Sequence, residues 1–182
     1  MFNFGPEEFV MSNGKKVVIK SWDASQPAQL EEVMSQFAKE RAYDIQKEEA
    51  HLLVEEMETR AKAVINPPMF LGVHDEGKMI AYMTIRRPLL DRPWEKHIGI
   101  LGLVLLQDYW GLGLGTKLLE IAERLSKQLN ITRLESKVRV KNQRASSLFI
   151  RSKYQIEGKR SKAAYINGVY EDEYYLAKIL ET

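Results

Sequence analysis

The stretch that most restricts the fold of this chain runs from residue 97 to residue 129. "HIGILGLVLL" (97–106) is an almost wholly apolar run of strand length, predicting a buried, central strand. "WGLGLGT" (110–116) follows, with three glycines alternating with large apolar residues. Leu118, Ala122, Leu125 and Leu129 then fall at helical spacing, with Lys117, Glu120, Glu123 and Lys127 on the other face. A buried strand, a turn poor in side chains and an amphipathic helix make a βα unit with its turn at the strand's C-terminal end. The rest of the chain has to supply strands and helices around it.

The flanking sequence reads that way. The first fourteen residues form a leader ending at the Asn13-Gly14 turn signal, and residues 15–182 form one domain. "KKVVIKSW" (15–22) is a β-branched strand. Leu30, Val33, Met34 and Phe37 mark a helix over 27–40, with Pro27 in its first turn. Ile45, Leu52, Leu53, Met57, Ala61 and Val64 mark a second over 45–64, stopped by "NPP" (66–68). "MFLGVHDEGKMIAYMTIRR" (69–87) is a hairpin turning at Asp75–Gly77. "RLESKVRV" (133–140) alternates as a strand, and 142–153 is a short helix with Ala145, Leu148 and Phe149 inside. Two last strands join at Asn167-Gly168, a strong hairpin signal. The order β-α-α-β-β-β-α-β-α-β-β is mixed α/β.

Glycines at a strand-to-helix junction let the backbone approach a ligand, and the free N–H groups of a first helical turn favour an anion. Three phosphate-binding patterns compete for the loop. G-x-x-x-x-G-K-[ST] has no register in it. G-x-G-x-x-G can start at Gly111, but Thr116 takes its third glycine, and two helices and a hairpin precede the loop where that fingerprint normally opens its domain. G-x-G-x-G-T remains. Leu112 and Leu114 have no side-chain donors, so backbone amides would hold the phosphate. A turn whose glycines serve packing alone is the alternative reading.

At this point the chain resembles the GNAT superfamily of acyl-CoA-dependent N-acyltransferases. Their [QR]-x-x-G-x-[GA] signature is matched by Trp110, Gly111, Leu112, Gly113, Leu114 and Gly115, with Trp110 in the Gln/Arg place. A second family element, N-x-x-A-x-x-L-[YF]-x-x-x-G-[FY], is matched in "NQRASSLFIRSKY" by Asn142, Ala145, Leu148, Phe149 and Tyr154, with Lys153 replacing the glycine. The resemblance covers about residues 15 to 180 and implies a mostly antiparallel twisted sheet of about seven strands flanked by about four helices, with splayed central strands.

For the site, the resemblance implies that Trp110–Thr116 bind the pyrophosphate of coenzyme A. The strand around Leu103 and Leu105 would offer backbone groups to the pantetheine arm, and the Leu105 amide would polarise the thioester carbonyl. Asn142 would contact the pantetheine or cap its helix, and Phe149 would lie along the cofactor. The implied reaction is direct attack of an amine on acetyl-CoA, without metal. The acceptor is a small-molecule primary amine or a peptide N-terminus. Two departures bear on proton transfer: Ile100 stands where many relatives carry a glutamate, and Phe149 where many carry a tyrosine. His97 is then the candidate base, and Tyr154, Tyr165, Tyr170, Tyr174 and Tyr175 are phenols that could replace the missing acid. A non-catalytic acyl-CoA sensor is the alternative those departures raise.

Composition narrows the partners. A net charge of +2 gives no electrostatic case for nucleic acid or an anionic membrane. No cysteine is present, which excludes disulfides, cysteine-bound zinc and an enzyme-bound thioester, and is compatible with a cytoplasmic protein. No apolar run approaches the roughly 20 residues needed to span a bilayer, and the N-terminus lacks a signal-peptide pattern. Glu48, Glu49, Glu55, Glu56 and Glu58 on the second helix would make an acidic rim for a cationic acceptor, or a solvated face. Lys141, Arg144 and Arg151 would meet the 3′-phosphate, or act as ordinary surface charges. A homodimer is compatible with the sequence and not specified by it.

Overall fold

A computed structural model describes residues 3–23, 25–40, 69–88 and 92–181. The expected helix over 45–64, its proline stop and its five glutamates lie outside the described residues. The chain divides into two compact units. The first holds residues up to Arg86 and Gly102–Lys117; the second holds Arg87–Leu101 and the chain from Leu118 onward.

The first unit begins with a four-strand antiparallel meander. β1 (Glu7–Val10), β2 (Lys16–Ser21), β3 (Met69–Asp75) and β4 (Lys78–Arg86) pair in sequence order. β1 was not legible as a strand, because "EEFV" puts two glutamates at its start. It is an edge strand, in register from Glu7↔Ile19 to Val10↔Lys16. The β3–β4 turn uses Glu76 and Gly77 at φ 48° and 84°, the two left-handed residues a tight hairpin needs. α1 (Pro27–Lys39) starts on proline, whose fixed φ suits the first helical position. Its stripe of Leu30, Val33, Met34 and Phe37 is buried against Trp22, Phe70, Met79, Tyr82, Val104 and Leu106. Phe70 packs between Trp22, tilted against it at 4.7 Å between centroids, and Tyr82, stacked on it at 5.3 Å.

β5 (Ile98–Leu105) divides between the units after Leu101, and α2 (Leu114–Gln128) gives its first turn, to Lys117, to the first unit and the rest to the second. In the first unit, the Leu106 N–H donates to the Ile80 carbonyl at 3.1 Å. Gly102 is needed there, because a Cβ would come within 2.8 Å of the Thr84 hydroxyl. In the second unit, β5 pairs in parallel with β6 (Arg133–Arg139) from Ile98↔Arg133 to Ile100↔Glu135. This ladder has three registered pairs, although both strands run further. β6 pairs antiparallel with β8 (Val169–Ile179), and β8 with β7 (Gln155–Ile166). Asn167 and Gly168, at φ 49° and 80°, form the tight turn their sequence predicts. The buried face of α2 is Leu118, Leu119, Ile121, Ala122 and Leu125, all at most 2% exposed.

Eight strands and three α-helices are thus seen among the described residues, and of the strand pairs with a registered ladder every one except β5–β6 is antiparallel. None of the described helices is long and apolar enough to cross a membrane.

Asn142 caps the third helix, α3 (Gln143–Arg151). Its Oδ1 accepts the Ala145 N–H at 3.0 Å. Asn142→Ala leaves that N–H without a partner and should lower stability by about 0.5–2 kcal/mol. A chain of this size should melt roughly 2–4 °C lower per kcal/mol lost. An unchanged melting temperature would show that water replaces the cap without cost.

Candidate functional site

The glycine loop lies wholly in the first unit. β5 delivers the chain to a single 3-10 turn, Gln107–Tyr109, and three side-chain bonds fix that turn. Glu40, at the end of α1, accepts the Gln107 backbone N–H on Oε2 at 3.0 Å, and its carbonyl accepts Gln107 Nε2 at 2.9 Å. The Tyr109 hydroxyl donates to Asp75 Oδ2 at 2.8 Å. The Trp110 indole N–H donates to the Leu105 carbonyl at 2.7 Å. Trp110 therefore folds back on the strand, a use of its polar edge that a cationic residue there would share only through its own donors.

The loop then opens. Gly111 and Gly113 adopt φ 76° and 86°, where an L side chain is strained. A Cβ on Gly111 would meet nothing within 4 Å, so the space beside it is clear. The Leu112 carbonyl is pinned by the Ser12 N–H at 3.2 Å. Leu114 is fully buried and anchors the start of α2, whereas Gly111, Gly113 and Thr116 are exposed. The first helical bond runs from the Lys117 N–H to the Gly113 carbonyl at 3.1 Å, so the N–H groups of Leu114, Gly115 and Thr116 have no intrahelical acceptor. Glycines that bare the backbone and three unclaimed first-turn donors suit an anion held without a metal or a charged loop side chain.

Residues 30–152 match the profile of the acetyltransferase (GNAT) family. The chain belongs to that family. Among GNAT relatives, L-amino acid N-acetyltransferase AaaT of Escherichia coli (strain K12) is 29% identical over 105 residues. That match spans 57% of this chain and 64% of AaaT. A GNAT-family acetyltransferase from Streptococcus pneumoniae superposes with a TM-score of 0.73 at 25% identity, covering 90% of this chain and 99% of that one. The protein yncA from Salmonella typhimurium, solved with its cofactor acetyl-CoA, superposes with a TM-score of 0.75 at 13% identity, covering 91% and 94%. These structures share the GNAT fold expected from the two motifs.

The other residues singled out in the sequence belong to the second unit. His97 is exposed just before β5, and its carbonyl accepts the N–H groups of Thr132 and Arg133. Ile100 is half-buried at the last registered β5–β6 pair. The Asn142 carboxamide oxygen is committed to its helix cap. Phe149 is buried, its ring edge-on to Tyr154 with centroids 5.0 Å apart. The Tyr154 hydroxyl is buried without a hydrogen-bond partner, and burial, aided by the charge of Glu123, pushes its pKa well above the ordinary phenol value. It holds its proton firmly. Tyr165 and Tyr170 are exposed and pack on each other at the β7–β8 turn, 4.8 Å between centroids. Lys141 pairs with Glu171 at 2.8 Å.

Glu40, Tyr109, Ser12 and Asp75 are the bracing residues that sequence reasoning missed. Each works through a partner distant in the chain. The turn signals at Asn13-Gly14 and Asp75–Gly77 and the predicted helix end at residue 40 lay near three of them, and none of these signals revealed the partner.

Tyr109 carries a pH signature. Burial, then the hydrogen bond to Asp75 and nearby carboxylates, push its pKa up to about 12. An unfolded tyrosine ionises near about 10, so above that pH the unfolded chain loses this proton first. The contribution of Tyr109 to stability is complete below pH ~10 and is lost as pH rises towards ~12. Ultraviolet titration should show late-ionising tyrosines, one fewer of them in Tyr109→Phe. An unaltered titration curve would contradict the buried bond to Asp75.

Proposed function

We propose that this protein is an acetyl-CoA-dependent N-acetyltransferase acting on a small-molecule amine. The observation that carries the reading is the loop itself: left-handed Gly111 and Gly113, followed by three first-turn N–H groups without intrahelical acceptors, in a GNAT-family chain. Bound acetyl-CoA would supply a thioester that an amine can attack directly.

Each part of the first unit then has a task. The backbone amides of Gly111–Thr116 bind pyrophosphate oxygens. Leu103 and Leu105 offer backbone groups to the pantetheine arm. The Leu105 carbonyl accepts the Trp110 indole N–H, and its own N–H would polarise the thioester carbonyl. Glu40 and Tyr109 hold the 3-10 turn so that strand end and loop keep a fixed spacing. This cradle is drawn from the first unit alone. His97 is the proposed proton acceptor, its side chain being exposed. Phe149 has no proton to give a leaving thiolate, so solvent would have to supply it.

The acceptor class is drawn from the E. coli relative: the α-amino group of a free L-amino acid comes first, with peptide N-termini as the second class. Incubation with acetyl-CoA and a panel of L-amino acids, polyamines and short peptides should release free thiol with the amino acids. Release only with peptides would move the acceptor class. No release with any amine, despite coenzyme binding, would overturn the enzymatic reading.

A further inference from the structure

The proposed cradle lacks a cation of its own. Trp110 stands in the Gln/Arg place of the signature, and Leu112 and Leu114 are apolar. Backbone donors can direct an anion, yet coenzyme A carries several phosphate charges, and an ion-paired donor bonds phosphate more strongly than a neutral one.

Lys117 is placed to fill this gap. It lies one turn into α2 and donates its own N–H to Gly113. Helical Cα–Cβ bonds tilt towards the N-terminus, so its side chain leads back over the first turn. Two β1 groups hold it there. Glu7 Oε1 takes the ammonium at 2.8 Å, and the Phe9 ring lies beneath it, 5.9 Å from Nζ to the centroid. The same ring borders the loop, with Phe9 Cζ 3.7 Å from where a Gly113 Cβ would stand. Cation and glycine turn thus share one aromatic platform. An ammonium has three N–H donors. Glu7 orients it through one of its oxygens, leaving further donors for a ligand. Among the described lysines of this unit, Lys15 pairs with Asp75, Lys16 with Glu8 and Lys78 with Glu32.

Resting on the coenzyme reading above, we propose that Lys117, held by Glu7 and Phe9, is the cation that contacts the coenzyme phosphates in place of a charged loop residue. β1 is then a working part of the cofactor site.

The test is calorimetric titration of coenzyme A into the full chain and into Lys117→Met, Lys117→Gln and Lys117→Arg. Loss of a charge-assisted bond should weaken binding about tenfold in Met and Gln, with most of it restored in Arg. The difference should shrink as salt is raised, since the pair is partly solvated. Melting temperatures without ligand should match the parent chain, which separates loss of a contact from loss of fold. Equal affinity in all four proteins would overturn the assignment and leave the coenzyme reading standing. So would a loss that Arg fails to restore and salt does not change. Absence of binding to the parent chain would overturn both.

Discussion

Gly113→Ala should weaken coenzyme A binding by roughly five- to thirtyfold while leaving the chain folded. Gly113 sits at φ 86°, just before the first helical turn. Alanine there meets no serious overlap, its nearest neighbour being Phe9 Cζ at 3.7 Å, so the cost is conformational. A left-handed L residue costs roughly 1–2 kcal/mol, and the chain can relieve this by rotating φ to negative values. The rotation turns the peptide groups that face the ligand. Restoring the binding geometry then draws the same ~1–2 kcal/mol from binding. Gly77→Ala is the control, because Gly77 has the same conformation, φ 84°, in the β3–β4 turn. It should lose stability and keep its affinity. Equal loss of affinity in both would place the effect in global stability and remove the loop from the site.

Leu30→Ala should destabilise the chain by roughly 2–5 kcal/mol. Leu30 is fully buried where α1 crosses the cluster of Trp22, Phe70 and Tyr82. That cluster also includes Val104 and Leu106, so the helix supports the strand end that leads into the loop. Truncation removes apolar contact and leaves a cavity that rigid aromatic neighbours fill poorly. In urea the midpoint should fall with little change in slope. The exposed neighbour Glu31→Ala should change stability by no more than about 0.5 kcal/mol. A midpoint for Leu30→Ala within that same range would contradict the packing described for α1.

Periodicity carried most of the described fold. The turn signal at Asp75–Gly77 located β3 and β4, which are buried on both faces; alternation located β6, and spacings of three and four located α1, α2 and α3, each of which buries one regular face. β1 escaped because an edge strand buries little and its glutamates hide the alternation. The glycine loop was legible since glycine has few roles at a strand-to-helix junction. Its supports were not. Tyr109 and Asp75 are 34 residues apart, and Gln107 and Glu40 are 67 apart, so only the folded chain joins them. Asn142 was legible twice, as a family position and as a cap; the cap is what its carboxamide oxygen makes. Phe149 and Tyr154 show what pattern leaves open, since a buried ring and a ring along a cofactor have the same sequence.

The central claim is that the Gly111–Thr116 turn binds the pyrophosphate of coenzyme A. Thermal unfolding of the full chain with acetyl-CoA, coenzyme A, ATP or NAD tests it most directly. Ligand at a hundred times its dissociation constant stabilises by about 2.7 kcal/mol, several degrees for a chain of this length. Such a rise is expected with acetyl-CoA and coenzyme A, absent with NAD and reduced to about 1–2 kcal/mol in Gly113→Ala. A rise with ATP or NAD and none with either coenzyme would contradict it.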